Sequence, residues 1–251
     1  MNVSSDQIPE PARTAWLRLR DGLSDILGDD LVAMWAHGGT IASARPRQAD
    51  LDTYVVLARR PDAATVRSIE ALQDAIEADV GLEWDNWYIT ADDATQSGPP
   101  AHAYRDDRID QSWAIQRAHW LAGRYWSLHG AAPDGMVPAP TSAEIAADLR
   151  EELEHLERHV AAGDYTDPYE ATYAILNSCR ILRSLETQDV VISKREAGAW
   201  ALEHLPDPWH PLLRAAMRNY DGEATPDDVQ LLAAGMAPFV AMVRDVMSPS
   251  A

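Results

Sequence analysis

Asp50-Leu51-Asp52-Thr53-Tyr54-Val55-Val56-Leu57-Ala58 is the stretch whose reading decides the fold. It is apolar and rich in β-branched residues after its acidic start, so it reads as a strand. Side chains i and i+2 of a strand point to one face, which would set Asp50 and Asp52 side by side at the strand's mouth. Like charges that close repel, and the arrangement makes sense mainly with a divalent cation between them. Upstream, Leu31-Val32-Ala33-Met34-Trp35-Ala36-His37 reads as a preceding strand that ends in Gly38-Gly39, with Gly38 twelve residues before Asp50. The glycine pair lets backbone N–H groups approach an anion closely. A strand, a glycine turn and a strand opening with Asp-x-Asp point to metal-assisted phosphoryl or nucleotidyl transfer. An Asp-x-Asp alone is better described as an acidic strand edge facing water; the glycines weigh against that here.

Outward from this stretch, Pro9 to Leu27 carries Trp16, Leu17, Leu19, Leu23, Ile26 and Leu27 at helical spacing. Thr40 to Ala49 reads as a loop. Pro61-Asp62 opens a helix to about Ala78, and Leu82 to Ile89 is a third strand with Glu83, Asp85 and Trp87 on one face. Gln96 to Pro100 and Tyr104 to Asp110 are loops, Gln111 to Ala122 is helical, and Tyr125 to His129 is a short strand. Gly130 to Pro140 holds two glycines and three prolines and is the best linker candidate. Beyond it everything is helical: Thr141 or Ser142 to Ala162, Asp167 to Glu186, Ser193 to His204, Pro208 to Tyr220 and Pro226 to Met247. The expected fold class is α+β. An N-terminal domain, residues 1–135, has a mixed β-sheet with flanking helices, and residues 141–251 form an all-helical bundle.

The formal net charge of −19 repels nucleic acid and anionic membrane, since both need a basic footprint, and it suits a small cationic or polyhydroxylated partner. Cys179 is the sole cysteine, which excludes an internal disulfide and a CxxC metal site. Its half-apolar helical flanks make it a buried filler. Residues Met1 to Glu10 have no basic start and no apolar run, and no apolar stretch approaches the ~20 residues of a membrane span. The expected location is cytoplasmic, with no membrane and no nucleic acid as partner. The sequence leaves the oligomeric state open.

Several further residues could carry chemistry. A carboxylate on the third strand would complete a metal triad with Asp50 and Asp52, or take a proton from an attacking hydroxyl. Of the 21 basic residues only Lys194 is a lysine. Ser193-Lys194-Arg195-Glu196 is a capping-box pattern that puts Lys194 in a first helical turn, where a bound anion would offset the unfavourable dipole. Glu170, Tyr173, Asn177 and Arg180 line one stripe of a helix, fit for a cleft wall. His155 and His159 have the i, i+4 spacing of zinc ligands, but a solvated helix face accounts for them better, because the Glu that a zincin places after its first His is missing.

At these residues the chain resembles the aminoglycoside nucleotidyltransferases of the streptomycin/spectinomycin adenylyltransferase type, in the DNA polymerase β-like nucleotidyltransferase superfamily. The resemblance rests on Gly38-Gly39 spaced before Asp50-Leu51-Asp52, on Asp85-Asn86-Trp87-Tyr88-Ile89-Thr90-Ala91-Asp92-Asp93, and on Tyr173 to Arg180 continuing into Ser193 to Leu202, Leu205-Pro206 and Tyr220. It implies transfer of AMP from ATP to a hydroxyl of an aminoglycoside-type antibiotic, with Mg2+ as cofactor and pyrophosphate released. It implies that Asp50 and Asp52 hold two Mg2+ and that Asp85 is the general base and a third carboxylate at the metal. Gly38, Gly39 and Thr40 would lie at the nucleotide. Arg180 and Lys194 would contact its phosphates across a cleft, Tyr220 would stack near the adenine, Glu170 would face the cationic substrate, and Trp113 is the candidate drug contact.

The chain departs from that pattern where Gly39 and Ala49 replace two serines, each change removing a hydroxyl donor worth about 0.5–1.5 kcal/mol net. Thr40 or Ser43 could compensate. The loop from Ala94 to Gln111 lacks the family's Trp-containing drug-binding segment. Two alternatives therefore stand beside the antibiotic reading: a nucleotidyltransferase for a different small-molecule acceptor, and a catalytically silent nucleotide- or ligand-binding homologue.

Overall fold

The computed structural model describes residues 3–42, 51–105 and 112–247. It divides into two compact units, residues 1–142 and 143–251.

In the first unit, α1 (Ala12–Leu27) leads to β1 (Leu31–Ala36), the one-turn helix α2 (Gly38–Ala42) and β2 (Leu51–Leu57). Then come α3 (Ala63–Val80), β3 (Trp84–Thr90), the short α4 (Ala91–Ala94), α5 (Trp113–Leu121) and β4 (Trp126–Gly130). The strands form one sheet in the order β3-β2-β1-β4. β1 is antiparallel to both β2 and β4, whereas β2 and β3 run parallel. Parallel neighbours need a crossover, and α3 supplies it. Asp62 starts α3, its carboxylate accepting from the backbone N–H of Ala64 and Thr65 at 3.0 and 2.8 Å. Gly81, at φ +66°, ends it in the left-handed conformation that glycine adopts most readily.

Strand alternation sorts the sheet into two apolar faces. Met34, Ala36, Leu51, Val55, Leu57 and Tyr88 pack with Trp16, Leu19 and Leu23 of α1 and with Ile69 and Ile76 of α3. There the Trp16 indole donates to the Thr53 hydroxyl at 2.9 Å, which satisfies two buried polar groups at once. On the other face, Ala33, Trp35, Tyr54, Val56 and Ile89 pack with Trp113 and Trp120 of α5. Tyr54 meets Trp120 edge-on at 4.7 Å between centroids, and Trp113 lies 5.5 Å from Trp120. Arg117, also on α5, is fully buried; its guanidinium donates to the carbonyls of Ser97 and Pro138.

The second unit is α6 (Ser142–Ala162), α7 (Pro168–Thr187), α8 (Lys194–His204), α9 (His210–Tyr220) and α10 (Pro226–Met247). α7 packs against α8, α9 and α10, which explains why it is buried on most sides. Asn219 ties α9 to α7 by donating to Pro168 O and Thr172 Oγ1, both at 2.9 Å. Arg244 of α10 pairs with Glu157 of α6. Cys179 is buried in α7, and burial pushes its thiol pKa up, as expected of an inert filler.

Local readings differ from the structure in three places. The expected loop from Thr40 begins as helix α2. The expected linker is partly structured: Gly130 closes β4 and Val137 is buried in the first unit's core. Finally, α10 is long and apolar enough to cross a membrane by length and composition alone, its most apolar 18 residues having a mean hydropathy of 1.4, contrary to the sequence reading. Its Leu232, Phe239, Val240 and Val243 are nevertheless buried in the helical unit.

Candidate active site

The parallel register of β2 and β3 sets Asp52 opposite Asp85. Laterally paired residues of a sheet share a face, so both carboxylates stand on the Tyr54 side. Asp52 is partly buried and Asp85 is exposed. The backbone N–H of His37 donates to the Asp52 carbonyl at 3.1 Å and extends the row by one residue, giving His37, Asp52, Asp85. The His37 ring lies 5.2 Å from Tyr54 and 5.8 Å from Trp120. Burial pushes its pKa down to about 3, so the imidazole is neutral. His37 was legible only as the end of a strand. Its place just before the glycine pair is the signal that puts it in this row.

Gly38 is required by two independent features. Its φ is +79°, and a Cβ built on it would lie 1.7 Å from Asp52 Oδ2. The Asp52 carboxylate therefore rests against a position that only glycine leaves open. Gly39 differs: a Cβ there would meet nothing within 4 Å. Thr40, expected at the nucleotide, is 1% exposed and belongs to the interior. Asp50, together with Ala49 and Ser43, lies outside the described residues. Trp113, expected at the substrate, is also a core residue. It is 1% exposed, its indole donates to Gln96 O at 3.1 Å, and its ring packs on Tyr54 and Trp120. The side of α5 that carries Trp113 packs on the sheet.

Among the described residues, no group of three or more His, Cys, Asp or Glu gathers to hold a metal ion. That includes His155 and His159, whose ring centroids lie 4.3 Å apart with the planes tilted by 54°. Asp52 with Asp85 still fits magnesium, which is commonly held by one or two carboxylates with substrate phosphates and water filling its shell.

In the helical unit, Ser193 caps α8 as the sequence indicates: its Oγ accepts from Glu196 N–H at 3.2 Å and the Glu196 carboxylate accepts from Ser193 N–H at 2.8 Å. The Lys194 ammonium lies 4.3 Å from the centroid of the Tyr173 ring. Arg180 donates to Asn177 Oδ1 at 3.2 Å, and Asn177 is buried, so this stripe of α7 is more than a wet face. Glu170 does local work: its carboxylate accepts from Thr166 N–H at 2.9 Å and, in the N-terminal capping box of α7, from Asp167 N–H at 3.4 Å. Nearby, the Tyr165 phenol is pushed up to about 12 by burial and by Glu152, Glu170 and Asp164, a field that favours cations. Tyr220 ends α9 and is exposed.

Residues 137–245 match the family described as aminoglycoside adenylyltransferase, C-terminal domain. No curated protein sequence matches the chain significantly. Among solved structures, the chain is similar to spectinomycin adenyltransferase AAD(9) from Enterococcus faecialis, determined with ATP and spectinomycin. The identity is 16%, the TM-score 0.72, and the match covers 92% of this chain and 97% of that one. The resemblance stated from the sequence is thus met twice, by a family match over the helical unit and by a shared fold over nearly the whole length. Residues 137–245 thus match the C-terminal domain of the aminoglycoside adenylyltransferases, and the chain as a whole shares the fold of AAD(9).

Proposed function

We propose that this protein transfers AMP from ATP to a hydroxyl of a small cationic or polyhydroxylated acceptor, of the streptomycin/spectinomycin class, and acts in the cytoplasm. The observation that carries the proposal is the pairing of Asp52 with Asp85 on one face of the sheet, with Gly38 cut away beneath the Asp52 carboxylate.

Asp85 is exposed and can accept the proton of the attacking hydroxyl. That oxygen forms a bond to the α-phosphorus of ATP, the bond from the α-phosphorus to the bridging oxygen breaks, and pyrophosphate leaves. Asp52 and Asp85, with Asp50 as the resemblance implies, would hold magnesium. When bound, magnesium neutralises the charge that develops on the phosphate oxygens. Arg180 and Lys194 would contact the phosphates and Tyr220 the adenine. Glu170, with Glu152 and Asp164, would favour a cationic acceptor.

Gly39 favours a second reading, in which the chain binds nucleotide or ligand without turnover, because a hydroxyl is missing beside the Asp52 site. One experiment separates the readings. The protein is incubated with Mg-ATP and a panel of acceptors including streptomycin and spectinomycin, and pyrophosphate release is followed, with Asp52→Ala as control. Release with either drug supports the proposal, and release only with other acceptors changes the substrate class. Mg-ATP binding without release from any of them would establish the second reading.

A further inference from the structure

The chain has one lysine, and its ammonium lies over an aromatic ring rather than in open solvent. Lys194 Nζ is 4.3 Å from the centroid of Tyr173, inside the range in which a ring's negative face attracts a cation. The two residues come from facing helices, α7 and α8, which pack together. Tyr173 and Lys194 are both partly buried, so the contact is shielded from full solvation. Lys194 also occupies the first turn of α8, where the helix dipole disfavours a cation. The ring supplies compensating negative potential at the place where the helix does not. It also limits the rotamers of a side chain that otherwise carries large conformational entropy.

We propose that Tyr173 is a positioning residue: its ring holds the Lys194 ammonium ready for a nucleotide phosphate. The inference rests on the nucleotide reading above. It assigns to Tyr173 a role through Lys194, and that role belongs to the ring rather than to the hydroxyl. Tyr173→Phe keeps the ring face. Tyr173→Leu keeps apolar bulk but removes the π-system.

The single lysine makes the contact directly observable. Reductive methylation with 13C-formaldehyde labels Lys194 and the α-amino group. The latter titrates near ~8, about two units below a lysine, so the two signals are separable. The Lys194 methyl signal is expected upfield of free dimethyl-lysine in the unaltered protein and in Tyr173→Phe, and unshifted in Tyr173→Leu. Calorimetry with Mg-ATP on unlabelled protein is expected to give unchanged affinity for Tyr173→Phe and a roughly two- to thirty-fold weaker one for Tyr173→Leu, the range that a cation–π contact spans. Equal affinity in Tyr173→Leu and the unaltered protein overturns the role of Tyr173 and leaves the nucleotide reading intact. An unaltered protein that binds no Mg-ATP while keeping the upfield signal overturns the nucleotide reading, and the phosphate role with it. An unshifted signal in the unaltered protein overturns the contact itself.

Discussion

The Asp52 carboxylate lies against the α-carbon of Gly38, so closely that a methyl group there would stand 1.7 Å from Oδ2. Gly38→Ala is therefore expected to displace that carboxylate. It also forces a non-glycine residue to φ +79°, at a cost of about 1–2 kcal/mol. Pyrophosphate release should fall at least about tenfold while far-UV circular dichroism stays unchanged. An Ala variant with full turnover would show that the carboxylate has another resting place.

Gly39 predicts the opposite. It has open space around its missing side chain and no positive φ. Gly39→Ser should fold normally and supply a hydroxyl donor toward the nucleotide. Mg-ATP affinity by calorimetry should tighten by roughly two- to tenfold, the worth of one ordinary hydrogen bond. Weaker binding would mean that the nucleotide passes elsewhere.

Asp85→Asn keeps shape and removes the proton acceptor. Its kcat is expected to fall by about 10²–10⁴ with a modest change in the KM for ATP. Asp52→Asn should cost kcat comparably, and both variants should raise the magnesium concentration needed for half-maximal rate, since both carboxylates would hold the metal. An unchanged magnesium requirement in either variant would remove that carboxylate from the metal.

Trp113→Ala tests whether this residue serves the core or the substrate. Loss of a buried Trp costs about 3–5 kcal/mol. The variant should therefore show a large drop in urea midpoint, whereas Trp113→Phe should retain both stability and the KM for the acceptor. A specific rise in acceptor KM in Trp113→Phe, without loss of stability, would return Trp113 to the substrate.

Asp228 is buried, accepts from Arg218 Nε at 3.0 Å, and accepts from Thr225 N–H and Oγ1 at 2.9 Å each. These bonds, the Arg218 guanidinium first among them, hold its carboxyl well below the ordinary range. Because the folded-state pKa lies below the unfolded one, the stabilisation is complete above about pH 4 and is lost as pH falls further. Asp228→Asn should lower Tm at pH 7, with the gap narrowing progressively as pH falls below about 4. A gap independent of pH would assign the effect to packing alone.

The strands and long helices were legible because their periodicity is strong, and so was the cap at Ser193, which is written within four consecutive residues. Asp52 and Asp85 could each be singled out from sequence. That they face one another depends on the register set by α3, which no local pattern encodes. Trp113 was singled out by resemblance, and a resemblance does not say which side of α5 meets the sheet. The turn after Gly38 continues as helix α2 and carries the Thr40 side chain inside, which no residue pattern there announces. The Lys194–Tyr173 contact joins residues on separate helices and appears only when those helices pack.

The parallel pairing of β2 and β3 has a consequence for how this protein could fail. A slip of one residue along that ladder would bring Trp84 or Asn86 opposite Asp52 and turn Asp85 to the opposite side of the sheet. The chemistry is thus written into the sheet as an alignment between segments separated by a whole helix. It comes into being only once the crossover has closed, and it vanishes with the first misregistration. Loss of turnover should therefore run ahead of loss of helix whenever the protein is mildly destabilised, making activity the most sensitive gauge of strand alignment this molecule possesses.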